Sequence, residues 1–114
     1  MALYYNLPVY KDTYSLVQKI FEFTKDFPRE YKYSLGQDMK RDALQLVRSI
    51  YRANKSEQKR VHLEQFLDDF ELIKLEIRLC VDIKILTYKQ QAVLSALMDT
   101  VGRQITGWRN AGRV

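Results

Sequence analysis

Apolar residues along this chain recur at intervals of three and four, the period of helices that each turn one face to a core. Four such stretches are separated by short breaks. The first is expected from about Val9 to Asp26, with Tyr10, Tyr14, Val17, Ile20 and Phe21 on its inner side. Pro8 suits the first turn of that helix, and Pro28, after Phe27, stops it. Residues 27–33 then read as an extended or loosely turned linker. Ser34-Leu35-Gly36-Gln37 has the spacing of a capping box, in which Ser34 accepts from an amide three residues on and Gln37 reaches back. The second helix continues to about Asn54, with Leu35, Met39, Ala43, Leu46, Ile50 and Ala53 inward. Ser56 is placed as the cap of a third, which reaches about Ile85 on a stripe of Leu63, Phe66, Phe70, Ile73 and Ile77. A second capping box, Thr87-Tyr88-Lys89-Gln90, opens a fourth helix. Its expected inner face is Leu94, Leu97, Val101, Ile105 and Trp108, and Gly112 marks its end.

Helices of this length joined by short breaks favour antiparallel neighbours, so the expected fold is all-α, an up-down-up-down four-helix bundle. Four glycines and two prolines leave too little turn chemistry for an all-β chain. At 114 residues there is room for one domain, residues 1–114, with an N-terminal extension over 1–8 and a basic tail over 109–114. No apolar run approaches the ~20 residues that span a bilayer, so no membrane association is expected. The first residues, Met1-Ala2-Leu3-Tyr4-Tyr5, lack the basic-then-apolar order of a secretory signal. A single cysteine, Cys80, fits a reducing compartment, and a cytoplasmic protein is expected.

Candidate catalytic groups are sparse. His62 is the only histidine and has no cysteine or second histidine nearby, so a metal site lacks its usual ligands and no cofactor is expected. Cys80, at the edge of the third helix's stripe, reads as a buried thiol. Asp68 and Asp69 are consecutive, so on a helix they diverge by about 100° and cannot converge on one atom. Gly102 and Gly107 fall inside a helix and not in a phosphate-cradling loop. The expectation is a protein that is not an enzyme.

Charge changes the picture. The net charge is +5 and the pI about 9.4, a balance that favours polyanions. On a helical wheel Arg41, Arg48, Arg52 and Lys55 of the second helix fall in a narrow sector opposite its core stripe, with Asp38 and Asp42 to one side. Arginines in such a ridge suit phosphate oxygens, although the same spacing suits an ordinary solvated face. Arg103 also points away from the core, and Arg109 and Arg113 extend the basic character to the tail. The third helix carries Leu72, Leu75, Leu79 and Leu86 in a second apolar sector, which reads as a subunit seam or as the far side of a central helix.

Two motifs carry a family resemblance. Phe27-Pro28, a basic loop and then Ser34-Leu35-Gly36-Gln37 resemble a signature of the accessory variability determinant (Avd) proteins of diversity-generating retroelements. The stretch from Leu97 through Val101-Gly102-Arg103-Gln104-Ile105-Thr106-Gly107-Trp108 is similar to the Gly-Arg…Gly-Trp helix that closes those proteins. The likeness spans about Tyr10 to Arg109. It implies a homopentameric barrel of four-helix bundles with a basic surface and channel. It also implies binding to RNA or DNA and association with a reverse transcriptase that makes adenine-mutagenised cDNA from a template RNA. Arg103 stands at a position of the family's motif, whereas Arg41, Arg48 and Arg52 rest on the wheel alone. The bundle proteins encoded in intervening sequences of bacterial 23S ribosomal RNA genes resemble this chain less, because their late Gly-Ser stretch is missing. A stand-alone RNA-binding bundle of that kind, and a structural oligomer, remain the alternatives.

Overall fold

In a computed structural model residues 3–111 are described, and long helices dominate them. A short 3-10 turn, Tyr4–Asn6, precedes α1 (Pro8–Thr24), α2 (Arg29–Lys32), α3 (Leu35–Lys55), α4 (Lys59–Asp82) and α5 (Tyr88–Ala111). The chain is an all-α four-helix bundle of α1, α3, α4 and α5, with the single turn α2 as a joint. α1 packs on α3 and α5, and α4 packs on the same two, so α1 lies diagonally opposite α4. Met39 near the start of α3 meets Cys80 near the end of α4, and Asp12 of α1 meets Gln104 near the end of α5. Each contact joins the beginning of one helix to the end of its neighbour, as antiparallel packing does. The bundle measures 46 × 21 × 21 Å.

The stripes expected on the second and third helices are the observed core. Met39, Ala43, Leu46, Ile50 and Ala53 of α3 and Leu63, Phe66, Phe70, Ile73 and Ile77 of α4 are buried in one cluster. Each large aliphatic or aromatic side chain in it contributes about 1.5–3 kcal/mol by leaving water. α1 is rotated from its expected setting. Its buried face is Val9, Thr13, Leu16, Val17, Ile20 and Thr24, while Tyr14 and Phe21, expected inside, are exposed. Two threonines hold core positions, and Thr24 is accommodated there by donating its hydroxyl to the Ile20 carbonyl at 2.7 Å. In α5 Met98 is buried beside Leu94, Val101 and Ile105, and the expected Leu97 and Trp108 are half-buried at the margin. Gly112, the expected end of that helix, lies outside the described residues, as does Arg113.

The connections follow local chemistry. Residues 29–32, expected as a loose linker, close one helical turn because the Pro28 carbonyl accepts from the amides of Tyr31 and Lys32, both at 2.9 Å. Ser34 consequently is not a capping-box residue: its hydroxyl donates to the Glu30 carbonyl of that turn. Gly36 is buried here, and a Cβ on it would lie 3.3 Å from the Tyr31 carbonyl oxygen, so a larger residue would press on the close crossing of α2 and α3. Ser56 accepts from the Gln58 amide in the turn before α4, and Gln58 is the N-cap. α4 ends three residues earlier than expected in a Schellman turn. The Ile85 amide reaches the Cys80 carbonyl, the Lys84 amide reaches Val81, and Lys84 takes a positive φ of 68°. The second capping box is present as expected. Thr87 Oγ1 accepts from the Gln90 amide and Gln90 Oε1 from the Thr87 amide, each at 3.0 Å.

Candidate nucleic-acid interface

The outer side of α3 carries the expected cations, and their surroundings differ. Arg41, Arg48, Arg52 and Lys55 are all exposed. Arg41 is engaged by acids of its own helix, at 3.3 Å from Asp38 and 3.7 Å from Asp42, which corrects the expectation that those acids stand aside. Among the described residues no ion pair engages Arg48 or Arg52. Lys55 lies over the Tyr51 ring, its Nζ 4.5 Å from the centroid, and donates to the Tyr51 hydroxyl. The free positive charge of the ridge is therefore concentrated in its C-terminal half.

Arg103 and Arg109 do not join this ridge. Both stand on α5, diagonally across from α3. Arg103 is exposed where a groove between α4 and α5 meets a second one beside Leu7, Pro8 and Trp108. Arg109, expected in a free tail, belongs to the last turn of α5, is half-buried, and has its Nε buried without a hydrogen-bond partner. A cation there complements the negative end of the helix dipole.

Of the leucine seam, Leu72, Leu75 and Leu79 are 44%, 62% and 45% exposed on the outer face of α4. Leu86 is not part of it: it lies past the end of α4, after the Schellman turn, and its side chain is buried in the core. The reversal of the chain at Lys84 moves Leu86 off the helical phase that the spacing assumed.

Two features of this side of the bundle were not anticipated. One is a buried acid pair between α3 and α4. Glu76 occupies a core position and faces Asp42, and Asp42 Oδ2 and Glu76 Oε1 are both closed off without another hydrogen-bond partner. Burial, then the hydrogen bond and charge of Asp42, push the Glu76 carboxyl up to about 8, with Arg41 opposing. A Glu76 carboxyl raised that far keeps its proton at neutral pH and can donate it to Asp42. Burial and the neighbouring Glu76 also push the Cys80 thiol up to about 12, so it stays protonated and unreactive. The signal was present in the sequence, since Ile73, Glu76, Ile77 and Cys80 follow one helical stripe. The other is a row of rings along the α1–α3 seam, with Tyr14, Phe21 and Tyr51 all exposed.

His62 is half-buried, and no group of three or more potential metal ligands occurs among the described residues. Within the same residues no helix is long and apolar enough to cross a membrane.

Fold and surface together describe a helical bundle whose distinctive chemistry lies on open outer faces and not in an enclosed cleft. The chain belongs to the bAvd-like family, whose model, described as "bAvd: bAvd-like", matches residues 8–111 and so takes in all four long helices. No curated protein matches the chain.

Proposed function

We propose that this chain is a non-catalytic, cytoplasmic nucleic-acid-binding subunit of a diversity-generating retroelement, associating with its reverse transcriptase and template RNA during mutagenic cDNA synthesis. Membership of the bAvd-like family supports the retroelement setting. The observation that carries nucleic-acid binding is the pair Arg48 and Arg52, exposed on α3 without an ion-pair partner among the described residues and opposite the buried stripe that fixes the helix. Guanidinium groups held on a rigid helix can meet phosphate oxygens in a forked geometry with little ordering. Lys55 extends the ridge by one turn, while Arg103 belongs to a separate basic surface on α5. The exposed Leu72, Leu75 and Leu79 supply a seam for a homo-oligomer, with the pentamer of the resemblance as the expected state.

The test is an RNA-binding titration over a range of salt, with R48E/R52E compared to wild type. Stability should change by no more than about 0.5 kcal/mol per site. Wild-type affinity should fall log-linearly with salt, and the variant should bind far more weakly with a salt slope shallower by about 2. Reverse transcription by the partner enzyme should fall in step. A folded variant that binds RNA as wild type does would reduce the ridge to a solvated face.

A further inference from the structure

The α1–α3 face combines two chemistries that the basic ridge alone does not require. Tyr14 and Phe21 of α1 are 48% and 41% exposed, and Tyr51 of α3 is 44% exposed. Phe21 follows Tyr14 by seven positions, about two helical turns, so they stand on one side of α1, about 10 Å apart along its axis. Tyr14 and Tyr51 are braced by other rings. Tyr10 stacks on Tyr14 at 5.9 Å with an interplanar angle of 20°, and Tyr4 packs edge-on against both Tyr10 and Tyr51, at 5.4 and 5.2 Å. Between α1 and α3 the row borders a groove of about 580 Å³ that Leu44 closes on the α3 side.

Cations flank these rings at short range. Lys40 Nζ lies 5.6 Å from the Phe21 centroid and Lys55 Nζ 4.5 Å from that of Tyr51, with Arg48 one turn from Tyr51 on the same helix. The acid bordering the groove, Glu22, is neutralised by Lys19 at 3.2 Å.

We propose that the α1–α3 face is a platform for single-stranded nucleic acid, on which Tyr14, Phe21 and Tyr51 stack bases while Lys40, Arg48 and Lys55 hold the phosphates between them. The proposal rests on the nucleic-acid reading above and deepens it by naming the strand state and the stacking side chains. Base faces are free only in a single strand, and aromatic platforms beside cations take any base, because every base has a π face. An apolar protein surface on the same face would bury Arg48 and Lys55 without counter-charges, at a cost that the rings do not offset. α1 is diagonal to α4, so association of copies through the α4 leucines leaves the row open.

The experiment measures binding of labelled oligo-U RNA, oligo-dT, an abasic strand and a hairpin duplex, each of about 20 nucleotides, longer than the ~4–16 that comparable single-strand sites contact. The two base-bearing strands separate an RNA from a DNA preference within the same chemistry. Wild type should bind them at least about tenfold more tightly than the abasic strand. Tyr14→Ala and Tyr51→Ala should each remove roughly tenfold of that affinity while leaving duplex binding and the salt slope unchanged. Tyr14→Leu and Tyr51→Leu, which keep apolar bulk, should lose as much, so that a packing defect in the alanine variants is told apart from lost stacking. Equal affinity for base-bearing and abasic strands, or tyrosine variants that bind like wild type, overturns the platform and leaves the ridge standing. Variants that change the oligomeric state without changing strand binding overturn it in favour of a protein interface. Absence of wild-type binding to every probe overturns the platform and the proposed function together.

Discussion

Glu76 of α4 faces Asp42 of α3 at a buried position between the two helices, and burial followed by the neighbouring Asp42 raises the Glu76 carboxyl so that it can donate its proton to Asp42. The contact spans the most extensively packed helix pair of the bundle, and Arg41 caps its outer edge through Asp42. Stability is consequently tied to pH through the carboxyl that folding raises.

Because Glu76 is raised from about 4.5 to about 8, the folded chain binds a proton there that the unfolded chain releases. Its contribution is fully present below pH ~4.5 and is lost as pH rises towards about 8, at up to about 1.4 kcal/mol per pH unit. Thermal melts between pH 5 and 9 should therefore show a falling midpoint. Glu76→Gln, whose amide donates permanently to Asp42, should flatten that trend and be more stable than wild type at alkaline pH. A wild-type midpoint independent of pH would mean that Asp42 and Glu76 do not share a proton.

The leucines of α4 separate assembly from folding. Leu75→Glu and Leu79→Glu place charges at outward positions, so dichroism should keep its helical signal while light scattering reports smaller species. Leu86→Glu, by contrast, buries a charge in the core and should unfold the chain. If Leu75→Glu unfolds as well, the seam is part of the bundle's own packing.

The Thr87–Gln90 box satisfies amides at the start of α5. Thr87→Ala removes one partner and should lower stability by about 1 kcal/mol, with Thr87→Ser retaining most of it. Chemical denaturation of the two variants side by side checks this.

The helical glycines of α5 are not equivalent. Gly107 has nothing within 4 Å of the place a Cβ would occupy, so Gly107→Ala should raise stability by about 1 kcal/mol through helix propensity alone. At Gly102 the new methyl would meet the Phe70 ring at 3.4 Å, so Gly102→Ala should gain less. Melting midpoints decide it, and a loss at Gly107 would place a second chain against that stretch of α5.

The four long helices and the main stripes of α3 and α4 were determined by the sequence, because period and local capping act over a few residues. Met39 to Ala53 and Leu63 to Ile77 are spaced so that only one face can be buried, and the Thr87–Gln90 box needs nothing beyond its own turn. The ridge of Arg48 and Arg52 was legible for the same reason, being the complement of a strong stripe. Tertiary packing decided what period leaves degenerate. In α1 an apolar band wider than the buried face, with threonine at two of its inner positions, allows more than one rotation about the axis. Contact with α3 and α5 selected the one that exposes Tyr14 and Phe21. Packing also brought Tyr51 beside Tyr4 and Glu76 against Asp42, and it sent Leu86 inward after the turn at Lys84. Period fixes which residues share a face of one helix, but the partner of that face is chosen only when several helices compete for the same interior.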